Sequence, residues 1–227
     1  MTVAPSKTQS EVTIWPETET RILLEGVSWE TFEQLLVETG DNRNQRFAYC
    51  DGTLEIMAPL EGHEESTRLL DQFVVAFIDA LSLEVRSLGS LTMKNPEQKK
   101  GLEPDNCFYI QNEAVVRGVK KLDFKIHPPP DLAIEVDNTN LSLNKFPIYL
   151  ALQIPEVWRL RRGQLLIYRL NEAQSDYVEV EQSHAFPQMP VQELPNFIER
   201  AQMIGQRAAV RELTARVKAI LASSADE

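Results

Sequence analysis

The segment that most constrains the fold is residues 128–136, in which three prolines precede a short and almost entirely apolar run. Pro128-Pro129-Pro130 forms a stiff, extended lead into Leu132-Ala133-Ile134-Glu135-Val136. A run of this length and composition is typical of a central strand that is covered on both faces. Glu135 is therefore expected inside the protein, where an ionised carboxylate without a partner is costly.

Helices and strands are predicted around this run without a regular repeat. Ser28 is placed to cap a first helix, and Asp51-Gly52 joins two strand-like runs in a hairpin. Apolar residues at intervals of three and four predict a long main helix from His63 to about Leu83. A shorter helix is predicted from Leu141 to Leu152, bent or shortened by Pro147. The other predicted strands are 84–86, 91–93, 106–110, 156–160, 165–170 and 177–180.

These elements predict one α/β (α+β) unit with a mixed central sheet flanked by helices, an N-terminal helix plus hairpin, and a C-terminal helix. The chain has 227 residues, which suits one large core better than two small ones. We expect a flexible arm over residues 1–20, the main domain over 21–200 and the C-terminal helix over 201–227. That helix carries an apolar stripe which could pack on its own core, pair with a second copy or leave its basic residues to contact phosphate.

The formal net charge of −11 would disfavour a nucleic-acid partner if it were spread evenly. Residues 11–65, however, contain 13 acidic and 3 basic side chains, so the remainder is close to neutral. Two basic groups lie in that remainder, and they are either solvated surface or a place for phosphate: Arg159, Arg161, Arg162 and Arg169, and Lys120, Lys121 and Lys125.

Composition also excludes several classes of site. Two cysteines cannot form a disulfide framework, and three scattered histidines do not suit a zinc site. No apolar run approaches the roughly 20 residues that span a bilayer, and the first 20 residues lack a signal-peptide pattern. We therefore expect a cytoplasmic protein without a membrane partner, in which any metal is bound by oxygen.

Two acids could provide such oxygens. Asp105 stands at the start of one predicted strand, and Glu135 lies in the next. If these strands pair, both carboxylates can point to the same side of neighbouring strands, which lie about 4.8 Å apart, and the carbonyl of Val136 lies beside them. Asp137 has the same parity as Glu135, whereas Asp131 lies about 13 Å away and is expected to be structural. The alternatives are a turn role for Asp105 and an arginine-paired strand carboxylate at Glu135.

Further candidates lie on the predicted helices. Lys145 follows Glu135 by ten residues and could offer an ammonium to water or phosphate, although a surface lysine is the ordinary alternative. His63 and Glu64 begin the long helix, where acids cap helices and could also hold a second ion. Tyr149 is one turn beyond Lys145 and either lines the cleft or packs in the core.

The series of these motifs resembles a known family. Gly52-Thr53-Leu54-Glu55-Ile56-Met57-Ala58-Pro59, His63, Glu103-Pro104-Asp105, Pro130-Asp131-Leu132-Ala133-Ile134-Glu135-Val136, Lys145, Tyr149 and Ile154-Pro155-Glu156-Val157-Trp158 are similar, in order and spacing, to the Uma-type restriction endonucleases of the PD-(D/E)XK nuclease superfamily. The likeness covers roughly residues 28–200 and implies a restriction-endonuclease-like fold.

The resemblance assigns roles to three residues. Asp105 corresponds to the Asp of the PD element and Glu135 to the second metal-binding acid. The superfamily's usual lysine position is Asp137 here, and Lys145 matches the helical position from which this family supplies its lysine. The implied activity is Mg²⁺-dependent hydrolysis of DNA, with Mn²⁺ as a substitute, by a homodimer. The alternative is a nuclease-like fold that binds nucleic acid or a protein partner without cleaving.

Overall fold

The computed structural model describes residues 20–40, 43–137 and 143–224. The predicted arm, apart from Thr20, lies outside these ranges. The elements, in chain order, are β1 Thr20–Leu24, α1 Trp29–Thr39, β2 Arg46–Cys50, β3 Thr53–Ala58, α2 Glu61–Leu81, β4 Arg86–Ser87, β5 Met93–Asn95, β6 Lys100–Leu102, β7 Asn106–Tyr109, α3 Glu113–Val116, β8 Leu132–Asp137, α4 Phe146–Leu152, β9 Glu156–Arg161, β10 Gln164–Leu170, β11 Tyr177–Val180, a 3₁₀ turn Val191–Glu193, α5 Leu194–Ile204 and α6 Gln206–Ser224.

The central sheet has six strands in the order β11-β10-β9-β8-β7-β4. Strands β8 and β9 run parallel, and the other neighbours are antiparallel. The mixed α+β class is therefore confirmed, and each predicted strand overlaps an observed one. A second, antiparallel sheet with the order β1-β3-β2-β6-β5 was not predicted.

The N-terminal helix and hairpin form as their sequence signals predict. Ser28 Oγ accepts a hydrogen bond from the backbone N–H of Thr31 at 3.1 Å and caps α1. Asp51 and Gly52 have φ values of 49° and 91°, the left-handed backbone of the tight turns that join twisted strands. The prediction for the long helix is confirmed to within about two residues at each end.

Strand β8 lies between β7 and β9, and all six of its residues are buried. Leu132, Ile134 and Val136 belong to the main core, which α2 covers. Ala133 faces the other side, where it packs in a cluster with residues of α4. The strand is thus covered on both faces, which is why its sequence is almost continuously apolar.

Helix α4 is shorter than the helix predicted from Leu141. Residues 143–145 are not helical, and Leu141 and Ser142 lie outside the described residues. Pro147 occupies the first turn, where its missing N–H costs no helical hydrogen bond. The helix therefore begins beside Lys145, and its short length follows from this late start.

The C-terminal helix packs on the core of its own chain. Ala209, Val210, Leu213 and Val217 of α6 are buried in the cluster that contains α2 and β8. This is the first of the three roles considered for the apolar stripe, and it leaves that stripe unavailable to a second copy. Residue 201, where the C-terminal segment was predicted to begin, falls inside α5. No helix in the described part of the chain combines the length and apolar character that a bilayer crossing requires.

Candidate active site

Asp105 and Glu135 face each other across two antiparallel strands. Asn106 of β7 pairs with Ile134 of β8, and continuing this register by one residue places Asp105 opposite Glu135. Cross-strand partners have Cα atoms about 4.5–5.5 Å apart and side chains on the same face. Both side chains are buried, with relative exposures of 3% and 6%. The structure therefore brings together the two acids that the sequence predicted.

The Asp105 carboxylate is held from three directions. Its Oδ2 accepts a hydrogen bond from the backbone N–H of Val136 at 2.7 Å. Its Oδ1 lies 2.9 Å from His63 Nε2 and 3.2 Å from Arg46 Nη1. Burial raises the pKa of the Asp105 carboxyl, but His63, Arg46 and Lys145 outweigh burial and hold that pKa well below its usual range. Asp105 is thus a carboxylate.

One oxygen of the Asp105 carboxylate, Oδ1, is held by ion-pair contacts. Although Oδ1 is buried and contacts two basic groups, it accepts no hydrogen bond of normal geometry within the described part of the chain. Since the N–H and C=O of one residue in an extended strand point to the same edge, the Val136 carbonyl also points toward β7. The Asp105 side of the pair can therefore present a carboxylate oxygen and a backbone carbonyl together.

Glu135 is paired with two groups from α4 and its N-cap. Lys145 Nζ lies 2.6 Å from Glu135 Oε2, and the Tyr149 hydroxyl donates to Oε1. Burial raises the pKa of Glu135, Lys145 opposes the rise and the charge of Asp105 adds to it. Burial lowers the pKa of Lys145, but Glu135 and Asp105 reverse this effect and raise it, so Lys145 is an ammonium.

The start of α4 explains why Lys145 reaches the strand. Lys145 is the N-cap residue, and its carbonyl accepts the hydrogen bond of the Tyr149 N–H at 3.0 Å. Tyr149 lies one turn further and is buried beside Ile148 against β8. Lys145 and Tyr149 therefore share the helix face that covers Glu135.

The remaining predicted residues lie at the edges of this pair. His63 contacts Asp105, whereas Glu64 binds Arg46 Nη2 at 2.7 Å and so approaches the acids through that arginine. Asp137 forms an ion pair with Arg159, and Arg21 Nη2 lies 3.8 Å from it. Asp137 therefore lies at the edge of the acid pair. Position 137, where the superfamily usually has a lysine, holds an acid that is paired with arginines.

Asp131 has the structural role that its distance from Glu135 suggested. Its Oδ2 accepts hydrogen bonds from the backbone N–H groups of Ile110 and Asn112 at 2.7 and 3.0 Å. Its Oδ1 accepts from the Asn112 side chain at 2.6 Å. Asp131 therefore fixes the chain after β7 and takes no part in the acid pair.

The oxygen donors suit a hard cation that takes few of its ligands from the protein. Among residues 20–40, 43–137 and 143–224, no group of three His, Cys, Asp or Glu side chains could hold a metal ion. Mg²⁺, however, is commonly bound through only one or two carboxylates, with water and substrate phosphate completing its shell. Asp105, Glu135 and the Val136 carbonyl supply that kind of set.

A pocket of about 240 Å³ adjoins the Glu135 side of the pair. Strand β9 forms one wall because its register places Arg159 opposite Glu135 and Arg161 opposite Asp137. The start of α4 forms the opposite wall. The pocket is lined by Arg21, Glu135, Asp137, Leu143, Asn144, Lys145, Phe146, Tyr149, Val157, Arg159 and Arg161.

Several residues of the site were not predicted from the sequence. Arg46 begins β2 and reaches Asp105, and Arg21 of β1 contacts both Asp137 and Glu55. Glu55 is 1% exposed and also accepts the Leu143 backbone N–H at 2.8 Å, which secures the segment before Lys145. The one sequence signal for this group was a glutamate within the strand-like run 53–57.

A solved structure and a family model each match most of this chain. A crystal structure of a putative nuclease belonging to DUF820 from Anabaena variabilis matches with a TM-score of 0.47 and 14% sequence identity, and the match covers 81% of this chain and 99% of that one. The search of curated proteins found no match. The model of the Uma2 family, described as "Putative restriction endonuclease", matches residues 29–202, which include every residue of the acid pair and its α4 partners. The chain therefore belongs to the Uma2 family.

Proposed function

We propose that this protein is a Mg²⁺-dependent endonuclease that hydrolyses phosphodiester bonds of DNA at Asp105 and Glu135. Membership of the Uma2 family supports a nuclease. The observation that carries the proposal is the pair of buried carboxylates on adjacent strands, with an ammonium 2.6 Å from one of them. A purely structural ion pair would not require a second buried acid directly opposite the first.

Each residue has a role that follows from its position. Asp105 and Glu135, together with the Val136 carbonyl, would hold the ion. The ion would supply positive charge to the phosphate in the transition state and would acidify the attacking water. Lys145 would donate hydrogen bonds to that water or to the phosphate as negative charge develops. His63 and Arg46 hold the Asp105 carboxylate in its ionised form and orientation.

Nicking of a supercoiled plasmid tests the activity directly. We expect the wild-type protein to convert the plasmid to open-circular and linear forms in Mg²⁺ or Mn²⁺ but not in EDTA. E135A should lose this activity. E212A is the control because Glu212 lies on α6, paired with Arg200 on the surface. Equal nicking by the wild type and E135A would rule out the proposed site.

Metal binding can be measured without catalysis. Titration of Mn²⁺, followed by the electron paramagnetic resonance of the free ion, should show a site in the wild type and in E212A. D105N and E135Q should each weaken that site at least tenfold. Full binding in both variants would contradict the ligand assignment, whatever the nicking assay shows.

The rival function is a nuclease-like fold that binds nucleic acid or a protein partner without cleaving it. It is favoured by the acid at position 137, where the superfamily usually has lysine, and by the pairing of that acid with Arg159. Wild-type protein that binds Mn²⁺ and DNA, yet nicks no more than E135A, would support this rival.

A homodimer and a cytoplasmic location belong to the same proposal. Cleavage of both strands of a duplex is commonly carried out by two symmetric sites. The apolar stripe of α6 is buried in the core, so a dimer would have to use another surface. Sedimentation of the protein with and without duplex DNA measures the oligomeric state.

A further inference from the structure

The pocket beside Glu135 has more cations than acids. Four basic side chains line it, namely Arg21, Lys145, Arg159 and Arg161, against the two carboxylates Glu135 and Asp137. An excess of positive charge around a small concave space attracts anions. The pocket therefore suits an anionic group more than a neutral one.

Three of these four cations form ion pairs with acids. Lys145 is paired with Glu135, and Arg159 is paired with Asp137. Arg21 lies 2.8 Å from a second acid, Glu55, outside the lining of the pocket. These three contacts account for both carboxylates of the pocket.

Arg161 is different. In the part of the chain that the structure describes, its guanidinium forms no ion pair, and its Nε is buried without a hydrogen-bond partner. A buried donor left unsatisfied costs free energy, and a ligand that accepts its hydrogen bond recovers that cost. The planar fork of arginine suits the oxygens of a phosphate group.

The position of Arg161 relates this cation to the acid pair. Arg159 lies opposite Glu135 on the neighbouring strand, and Arg161 is two residues further along. With ordinary strand spacings, Arg161 is about 5 Å to the side of Glu135 and about 7 Å along the strand. The pocket, at about 240 Å³, is smaller than the roughly 300–1,000 Å³ clefts that hold drug-sized ligands. It can hold a phosphodiester group better than a whole nucleoside.

We infer that this pocket binds a backbone phosphate of the nucleic-acid substrate, next to the phosphate that is cleaved, and that Arg161 is its principal contact. The choice of a nucleic-acid phosphate rests on the proposed function. The contact carries no base information, so it sets where the strand lies relative to Asp105 and Glu135 and does not select a sequence.

Binding in the absence of metal tests the inference separately from cleavage. Fluorescence anisotropy of a labelled 20-base-pair duplex in EDTA gives Kd between 50 and 200 mM salt. R161A should weaken binding about tenfold and make the slope of log K against log salt shallower by about 0.9. R161K, which keeps the charge and loses the fork, should fall between R161A and the wild type.

Arg169 supplies the matched control. It is an exposed arginine of β10 whose register partner is Glu156, so its side chain lies on the opposite face of the same sheet from Arg161. R169A should bind within twofold of the wild type. Equal losses in R161A and R169A, an unchanged salt slope in R161A, or no duplex binding by the wild type would each overturn the inference. If a thermal unfolding measurement shows that R161A is not folded, R161Q is tested in its place by the same criteria.

The outcomes also separate this inference from the proposed function. Loss of binding in R161A, with no metal-dependent nicking by the wild type, would support the phosphate contact and refute the nuclease. Nicking abolished by E135A, with normal binding and salt slope in R161A, would support the nuclease and refute the contact.

Discussion

The ammonium of Lys145 lies 2.6 Å from Oε2 of Glu135, which is buried, while Lys145 is partly buried at the start of α4. The two residues are ten positions apart and come from a strand and the N-cap of the following helix. The pair does two things. It satisfies a carboxylate inside an apolar strand, and it places a cation beside the oxygens proposed to bind metal.

Removal of the Lys145 ammonium should affect both stability and activity. K145M leaves Glu135 buried without its cation, which we expect to cost about 3 kcal/mol in the free energy of unfolding measured in urea. Nicking activity should fall at least a hundredfold because charge on the phosphate loses its donor.

A double variant separates these two effects. E135Q/K145M removes both charges, so it should be at least about 1 kcal/mol more stable than the sum of the single losses predicts. It should nevertheless remain inactive. Recovery of activity together with stability would contradict a catalytic role for the pair.

Tyr149 positions Glu135 through a single hydrogen bond. Its hydroxyl donates to Oε1, on the opposite side of the carboxylate from Lys145. Y149F should lower stability by about 1 kcal/mol. It should also lower kcat for nicking about tenfold with little change in KM, because the carboxylate loses its orientation without loss of a substrate contact.

A second tyrosine distinguishes positioning from a general loss of stability. The Tyr177 hydroxyl donates to the Ile154 carbonyl and not to Asp105 or Glu135. Y177F should therefore lose similar stability and keep normal kcat. If both variants lose kcat equally, Tyr149 has no special relation to the site.

The acid pair could be predicted from the sequence because its determinants are local. Glu135 is the one charge within the apolar run 132–136, and Asp105 immediately precedes β7, the neighbouring strand of the same sheet. Once those two strands pair in register, the side-chain alternation of strands dictates that the two acids share a face. The position of Lys145 required only that a helix begin soon after β8.

The second sheet could not be predicted because long-range packing decides its pairings. Gly101 had the character of a loop residue, but it lies in β6, where an added Cβ would come within 3.0 Å of the Phe32 ring. Strand β1 has four exposed residues out of five and lacks the alternation that predicts a strand. Its partner β3 is more than 25 residues away, so no local signal marks it.

The arginines around the acid pair could not be predicted either, because their contacts are also long-range. Arg46, Arg21 and Arg159 reach carboxylates that lie on other strands, at sequence separations of 22 to 116 residues. Arginine side chains are usually solvated, so composition does not distinguish these three from surface arginines. Their roles depend on which strands lie next to one another in the folded chain.

Cys50 should be an unreactive thiol despite its partial exposure. Burial raises its pKa to about 11, with the Asp51 carboxylate adding to the rise. At pH 8 its thiolate fraction is then about two orders of magnitude below that of an ordinary cysteine, and its alkylation should be slower by a similar factor. Mass spectrometry after iodoacetamide treatment measures this, with a rate that rises about tenfold per pH unit up to pH 10.

D51N tests the cause of that shift. Asparagine suits the left-handed backbone at position 51, where φ is 49°, so the hairpin should be kept. Loss of the neighbouring negative charge should lower the pKa of Cys50 and speed its alkylation severalfold. An unchanged rate in a folded D51N protein would mean that burial alone holds the thiol protonated.

Asp131 provides the test of a buried acid that supports the fold without acting in the site. D131N removes a charge that accepts three hydrogen bonds from the segment 110–112, which we expect to cost about 2 kcal/mol in the free energy of unfolding. Because Asp131 makes no contact with Asp105 or Glu135, nicking per folded molecule and Mn²⁺ binding should stay within twofold of the wild type. D105N, in contrast, should weaken Mn²⁺ binding at least tenfold, because the Asp105 carboxylate is proposed to hold the ion. A loss of Mn²⁺ binding in D131N as large as that in D105N would show that the acid pair depends on the whole 105–131 region and would remove the distinction drawn between the two aspartates.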